Sequence, residues 1–306
     1  MTSITLRAGR AGAEVAFKGG ELRAWSVDGK PLIWKPDPSV WPDTAPILFP
    51  VVGWTNGGEV RVAGRSFPLG LHGFARTAGF NLVAQSSNKV TLELVADAAS
   101  RALYPFDFRL RADYCLSETG LSVALIVENR GGAPMPYACG LHPGFCWPFA
   151  GGSMTDYRLV FDTAEDAHVP EISAGGLFLP TRRQVPLAGT DLALAPELFA
   201  REALCFLHAR SRALSFEHSG GAAISVAAEG FPHFALWAKP PAPFLSIETW
   251  TGHGDPEGYV GDLFDKPGMR ILAPGEEARH AVHFAYRAGR DGAPSVAQPI
   301  RPSVAP

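Results

Sequence analysis

The sequence predicts an all-β protein built from large antiparallel sheets packed face to face. Apolar and polar residues alternate with a period of two over many segments, which is typical of strands with one solvated face. Helical periodicity is scarce, and the best candidate is the short segment 196–200 with Pro196 in its first turn. The 306 residues also include 33 glycines and 27 prolines. That excess indicates many turns between strands.

The alternation is clearest at residues 106–116, where apolar side chains interleave with Asp107, Arg109, Arg111 and Asp113. The same period predicts strands at 90–95, 121–127, 157–161 and 278–286. No linker or fixed-period repeat divides the chain, so we expect a single domain over residues 1–288. Residues 289–306 contain four prolines and little to bury. We predict that this tail is disordered.

The composition is that of an ordinary globular protein, with 19% charged and 46% hydrophobic residues and a formal net charge of −3. No basic stripe could neutralise a phosphate backbone, so we expect no nucleic-acid partner. The N-terminal segment has no apolar core or cleavage site of a secretory signal, and we expect a cytoplasmic protein without a membrane partner. The cysteines lack C-x-x-C spacing and are predicted to be reduced; they are Cys115, Cys139, Cys146 and Cys205.

Several common site types have no support in the sequence. It contains no H-E-x-x-H, G-x-S-x-G, P-loop or G-x-G-x-x-G pattern. His280 and His283 are three apart on a predicted strand and therefore point to opposite faces. We expect neither a metal nor a cofactor.

Three polar clusters stand instead in apolar, turn-rich surroundings. His72 and Arg76 are four residues apart beside glycine and phenylalanine, and His142 lies within the uncharged stretch 131–155. Glu248 interrupts an apolar strand just before Trp250. A carboxylate in such a strand is costly unless it is paired or used. Two histidines, an arginine and a carboxylate are the groups that general acid–base catalysis needs near neutral pH.

Five separated motifs occur in the same order in one known enzyme family. They are Pro46-Ile-Leu-Phe-Pro-Val-Val-Gly53, His72-Gly-Phe-Ala-Arg76, Tyr104-Pro-Phe106, Gly140-Leu-His142-Pro-Gly-Phe145 and Ile247-Glu248-Thr-Trp250-Thr-Gly252. Over about residues 4–287 the chain resembles the aldose 1-epimerases, or mutarotases, and is most similar to their bacterial branch of uncharacterised members. The resemblance implies a β-supersandwich, in agreement with the fold predicted from alternation.

The resemblance also implies a mechanism and a role for each matching residue. Glu248 matches the base that removes the proton of the anomeric hydroxyl, and His142 matches the acid that protonates the ring oxygen. The pyranose then opens, the aldehyde rotates and the ring closes on its other face. His72 matches the second active-site histidine, which holds sugar oxygens, and Arg76 in the same motif would bind a hydroxyl.

Two tryptophans are candidates to meet the apolar face of a sugar, and two positions depart from the family. Trp250 is the first candidate for a stacking platform, and Trp237 is expected to line the cleft. Trp54 stands after Gly53, where relatives more often have a basic residue. His233 stands where galactose-type enzymes supply an aspartate, which makes it a candidate for substrate binding and leaves the sugar open.

The leading hypothesis is therefore a cofactor-independent aldose 1-epimerase for a free monosaccharide, as a monomer or homodimer. One alternative is a hexose-6-phosphate 1-epimerase, which would need an arginine or lysine cluster at the cleft. Another is a non-catalytic carbohydrate-binding protein on the same fold. A plain sandwich without a sugar site would instead neutralise Glu248 in a buried salt bridge. We expect His142, His72 and Glu248 to converge in one open cleft, which would exclude this last hypothesis.

Overall fold

The computed structural model describes residues 2–289. The predicted C-terminal tail lies outside this range except for Gly289, its first residue. Within the described range the chain is composed mainly of strands, and no helix is long and apolar enough to cross a membrane. The prediction of an all-β protein is confirmed.

The first strands, in chain order, are β1 (Ser3–Ala8), β2 (Ala11–Ala16), β3 (Leu22–Val27), β4 (Lys30–Pro31), β5 (Ile47–Leu48), β6 (Glu59–Val62), β7 (Arg65–Pro68), β8 (Asn81–Gln85), β9 (Lys89–Val95), β10 (Phe108–Leu116), β11 (Gly120–Asn129), β12 (Met135–Tyr137) and β13 (Gly140–Leu141). The remaining strands are β14 (Gly144–Cys146), β15 (Tyr157–Phe161), β16 (His168–Ile172), β17 (Phe178–Gln184), β18 (Leu187–Ala188), β19 (Asp191–Ala193), β20 (Leu204–Phe206), β21 (Ala213–His218), β22 (Ala223–Glu229), β23 (His233–Trp237), β24 (Phe244–Trp250), β25 (Arg270–Leu272) and β26 (Glu277–Arg287). The helix α1 spans Ala98–Leu103, and 3₁₀ turns span Asn56–Gly58, Ala75–Thr77, Met154–Asp156 and Pro196–Phe199.

Two large sheets and one four-stranded sheet contain most of these strands, and the other six strands form three two-stranded sheets. A ten-stranded antiparallel sheet has the order β18-β19-β15-β21-β22-β26-β11-β10-β9-β8. A six-stranded sheet has the order β20-β23-β24-β13-β5, with β14 also paired to β24. Strands β1 to β4 form a sheet of their own. A continuous cluster of buried apolar residues runs from Ile4 to Tyr286, so the inner faces of the sheets share one core.

The predicted strands appear in the ten-stranded sheet. In β10 every second residue from Phe108 to Leu116 is buried, and the charged residues between them are partly exposed. Strands β9, β11, β15 and β26 cover the other predicted segments. The helix α1 was not predicted, although Asp97 caps it by accepting a hydrogen bond from the Ser100 amide at 2.7 Å.

The six-stranded sheet positions the chemistry because β24 runs through its middle. All seven residues of β24 are buried. Leu245 and Ile247 join the main core, whereas Ser246, Glu248 and Trp250 face the other way. Ala235 of β23 lies opposite Glu248, and Trp250 lies opposite Gly140 of β13. A side chain at Gly140 would place a Cβ 2.8 Å from the Trp250 ring, so glycine is what allows the indole to lie across the sheet there.

Candidate active site

A cleft of about 280 Å³ lies over this outward face of the six-stranded sheet. Its walls come from loops far apart in sequence, including the hairpin β16–β17, the loops before β5 and β20 and the turn after β13. The lining residues are Trp41, Asp43, Pro46, Gly53, Trp54, Leu71, His72, Arg76, His142, Ile172, Gly176, Phe178, Glu202, Ala203, Cys205, Trp237, Glu248 and Trp250. The structure thus brings His72, Arg76, His142 and Glu248 together in one cleft.

His142 and Glu248 form a contact pair on the floor of the cleft. The imidazole Nε2 lies 3.2 Å from Glu248 Oε1. Both residues are buried, with 7% and 2% of their surfaces exposed. The other carboxylate oxygen, Oε2, accepts a hydrogen bond from Trp250 Nε1–H at 3.0 Å. An acid and a base therefore face each other where a ligand in the cleft could reach both.

Burial changes the proton affinities of this pair in opposite directions. Desolvation raises the pKa of Glu248 well above its usual value, although the bond from Trp250 lowers it in part. Desolvation, with a smaller contribution from the charge of Arg76, lowers the pKa of His142 to about 3. In the unliganded cleft the favoured form is a carboxylic acid that donates its proton to a neutral imidazole. Loss of water favours this arrangement because it places no net charge on either group.

Ser246 determines which nitrogen of His142 faces Glu248. The Ser246 hydroxyl donates to the Pro143 carbonyl at 3.1 Å and lies 2.8 Å from His142 Nδ1. A hydroxyl has a single proton, so towards the imidazole Ser246 must accept a bond from Nδ1–H. The Nε2 atom is left to exchange a proton with Glu248 or with a ligand.

His72 presents the opposite tautomer to the cleft. Its Nδ1 accepts a hydrogen bond from the Gly53 amide at 3.1 Å, so in the neutral ring Nε2 carries the proton. Burial, His142 and Arg76 lower the pKa of His72 well below its usual value, which keeps the ring neutral. Gly53 packs closely against Gly254, since a Cβ on Gly53 would lie 2.5 Å from the Gly254 Cα. His72 itself adopts a left-handed backbone with φ of 61°, a strained conformation typical of functional positions.

Arg76 is held at the rim by an ion pair with Asp43. Both side chains line the cleft and remain partly exposed, at 24% and 20%. The pair leaves the remaining guanidinium N–H groups available to hydroxyl oxygens. The net charge of the Arg76–Asp43 pair is zero, so the pair does not by itself favour a negatively charged ligand.

Tryptophans form much of the cleft's apolar surface. The ring of Trp41 lies 5.0 Å from the ring of His142 in a tilted arrangement, and the ring of Trp237 lies 5.7 Å from His142 and 5.4 Å from Trp41. Trp237 lines the cleft, as the sequence analysis expects. Trp250 also lines it, with its indole nitrogen bound to Glu248. Trp54 is 43% exposed at the mouth, where it presents an aromatic surface without charge.

His233 does not line the cleft with the other predicted site residues. His233 lies on β23 opposite Trp250 of β24 and is buried, with 1% of its surface exposed. Its Nδ1 accepts a hydrogen bond from the His208 amide at 2.9 Å. The rings of His208 and His253 lie 4.8 and 5.6 Å away. Trp250, its partner on β24, lines the cleft instead.

Sequence reasoning did not select Ser246 and Trp41 as site residues. Ser246 had a usable signal, because it precedes Glu248 by two positions on one strand and must share its face. Trp41 had none, since it reaches His142 from a loop about a hundred residues away in the chain. Within residues 2–289, no three His, Cys, Asp or Glu side chains cluster as metal ligands would.

Comparison with known proteins identifies the family to which this fold belongs. A family model described as aldose 1-epimerase matches residues 2–285. The chain is 31% identical over 274 residues to Protein LacX of Lactococcus lactis subsp. lactis, which covers 85% of this chain and 92% of that protein. Among solved structures it is similar to a galactose mutarotase related enzyme from Lactobacillus acidophilus, with 27% identity, a TM-score of 0.87 and coverage of 94% and 98% of the two chains. A galactose mutarotase-like protein from Lactobacillus casei gives 26% identity, a TM-score of 0.87 and coverage of 93% and 100%.

The large antiparallel sheets have the galactose mutarotase-like fold of a carbohydrate-epimerase class of proteins, and the cleft lies on the six-stranded sheet. The chain belongs to the aldose 1-epimerase family. The expected β-supersandwich is confirmed.

Proposed function

We propose that the protein is an aldose 1-epimerase that interconverts the α and β anomers of an uncharged free aldose by acid–base ring opening and closure. The observation that carries this proposal is the 3.2 Å contact between His142 Nε2 and Glu248 Oε1 on the cleft floor. A sugar's anomeric hydroxyl and ring oxygen are bonded to the same carbon. One proton donor and one acceptor side by side therefore suit both atoms at once.

In the reactive form Glu248 is a carboxylate and His142 is an imidazolium. Glu248 Oε1 takes the proton of the anomeric hydroxyl while His142 Nε2 gives its proton to the ring oxygen, and the C1–O5 bond breaks. The product is the open-chain aldehyde beside a carboxylic acid and a neutral imidazole. Rotation about the C1–C2 bond and the reverse proton transfers close the ring on its other face.

The burial of the pair supports this sequence of steps. Ring opening converts the charged pair into the neutral pair, which is the form that desolvation favours through the raised pKa of Glu248 and the lowered pKa of His142. The site thus stabilises the neutral forms that Glu248 and His142 adopt when the open-chain aldehyde is present. Donation from Trp250 Nε1–H to Oε2 works in the other direction and keeps the carboxylate form accessible.

The remaining lining residues would hold the sugar. His72 offers Nε2–H, and Arg76 offers guanidinium N–H groups to hydroxyl oxygens. Trp237 and Trp250 provide aromatic surface for the C–H face of a pyranose.

The charge of the cleft favours a free sugar over a sugar phosphate. Among the described lining residues Arg76 is the one guanidinium, and Asp43 already neutralises it. Glu202 adds a carboxylate at the rim. A phosphate dianion would therefore meet no net positive charge. The non-catalytic alternative is less favoured because binding alone does not require an acid opposite a base.

Anomer exchange measured by NMR on a panel of free aldoses and their 6-phosphates tests this function. We expect exchange of at least one free aldose well above the buffer rate, and a fall of about 10²–10⁴-fold in Glu248→Gln. The control is Glu128→Gln, which alters a carboxylate that pairs with Arg109 at 2.6 Å on the ten-stranded sheet. Exchange confined to a 6-phosphate would contradict the proposed substrate. No exchange on any sugar would contradict the proposed activity.

A further inference from the structure

A second hollow adjoins the catalytic cleft. Its volume is about 570 Å³, and it shares Glu202 and Trp237 with the cleft. The other lining residues are Pro196, Glu197, Phe199, Ala200, Ala238, Lys239 and Pro240. Because Trp237 also lies beside His142, a ligand that extends past this ring from the catalytic pair would enter the hollow.

The walls of this hollow are held in place by hydrogen bonds from other parts of the fold. Arg183 donates to the carbonyl oxygens of Arg201 and Glu202 at 3.3 and 3.2 Å. These bonds support Glu202 in a left-handed backbone with φ of 76°, a strained conformation for a residue other than glycine. On the opposite wall Lys239 Nζ donates to the Val40 carbonyl at 3.0 Å. Such preorganised walls lower the entropy cost of binding.

The chemistry of the hollow suits an uncharged polyhydroxylated ring. Glu197 and Glu202 can accept hydrogen bonds from hydroxyl groups, and Lys239 can donate one to a hydroxyl oxygen. Trp237 and the rings of Pro196 and Pro240 supply the apolar surface that a sugar's C–H face requires. Two carboxylates and one ammonium leave a net negative charge, which opposes a phosphorylated ligand.

We propose that this hollow is a second sugar-binding subsite, and that the preferred substrate is a neutral reducing disaccharide. The inference rests on the proposed function and refines its substrate class. The reducing ring occupies the catalytic cleft and undergoes the anomer exchange already described. The second ring lies beyond Trp237 between Glu202 and Lys239, and the glycosidic bond is not broken. Binding energy from the second ring, remote from the reacting carbon, is available to orient the first.

The test compares each monosaccharide with a disaccharide that has the same reducing sugar. NMR anomer exchange is measured for glucose against maltose and cellobiose, xylose against xylobiose, and galactose against galactobiose. We expect kcat/KM to be about tenfold or more higher for at least one disaccharide than for its monosaccharide. Ala200→Trp should fill the hollow and remove this advantage while the monosaccharide rate stays within about twofold. Ala200 suits this change because it is exposed and follows the 3₁₀ turn in a right-handed helical conformation.

The control is Ala99→Trp, at an exposed position on α1. Equal kcat/KM for every matched pair would overturn the second subsite while the epimerase activity stood. An equal loss for both members of a pair in Ala200→Trp would overturn it too, since the variant would then act on the cleft itself. Absence of exchange with any sugar, mono- or disaccharide, would instead overturn the proposed function and the inference with it.

Discussion

Two buried histidines on the same side of the six-stranded sheet show how partners decide what burial does. Desolvation lowers the pKa of both His142 and His233 to about 3. His142 has a partner at each nitrogen, with Ser246 at Nδ1 and Glu248 at Nε2. His233 accepts one backbone bond at Nδ1, and its buried Nε2 has no partner among the described residues.

The two histidines differ in access to a group that can exchange a proton with them, not in pKa. His142 lines a cleft and faces Glu248, so a proton can pass between the two side chains without either of them entering bulk water. His233 lies beside His208 and His253, which contribute to its lowered pKa, and no carboxylate within residues 2–289 pairs with it. A lowered pKa therefore does not by itself identify a catalytic histidine.

The largest expected effect separates these two histidines by activity. His142→Asn removes the group that protonates the ring oxygen, and we expect anomer exchange to fall by about 10²–10⁴-fold. His233→Asn keeps an acceptor for the His208 amide, and exchange should stay within about threefold of the unaltered protein because no cleft group changes. Both rates are measured by NMR on the same sugar, with circular dichroism as the folding control. A comparable loss in the two variants would contradict this distinction, because a buried residue outside the cleft would then affect the rate as much as one inside it.

A smaller effect is expected when the hydrogen bond that fixes the tautomer of His142 is removed. Ser246→Ala removes the acceptor that binds Nδ1–H, so the imidazole can rotate or carry its proton on the wrong nitrogen. We expect kcat for anomer exchange to fall by about tenfold, with a smaller change in KM. Ser246→Thr keeps the hydroxyl and should recover most of the rate. Equal losses in Ala and Thr variants would mean that packing at this position, and not the hydrogen bond, matters.

The hydrogen bond from Trp250 to Glu248 sharpens the same comparison through pH. Trp250→Phe removes the donor that stabilises the carboxylate, so the pKa of Glu248 rises further and the pair retains its shared proton to higher pH. We expect the alkaline limb of the rate–pH profile to move up by about one pH unit and the plateau rate to fall several-fold. Trp237→Phe is the matched control, since it changes a cleft ring that stands beside His142. Its limb should stay in place, and a shift in both variants would contradict the assignment.

The fold class and the candidate residues His142 and Glu248 could be predicted from the sequence because both produce local sequence patterns. Alternation in 106–116 predicts a strand, and β10 forms there from Phe108. The uncommon placement of Glu248 and His142 in apolar surroundings, together with the family motifs, pointed to the pair that the structure brings into contact. Register on β23 could not be predicted, and it is register that puts His233 opposite Trp250 and away from the cleft. The contact of Trp41 with His142 depends on loop packing between distant segments, for which a single sequence has no signal.

The smallest expected effect concerns the stability that His233 confers as pH changes. Its pKa is about 3 in the fold and about 6.5 when the chain is unfolded. The unfolded chain therefore binds more protons between these values, so the contribution is complete above pH 6.5 and is lost as pH falls towards 3. The free energy of unfolding should drop by about 1 kcal/mol between pH 6 and pH 5 from this residue alone. Urea unfolding of the unaltered protein and of His233→Asn over pH 5–8 measures it, and the gap between their unfolding free energies should shift by that amount in favour of the variant. A gap that stays constant with pH would mean that His233 is as free to protonate in the fold as in the unfolded chain.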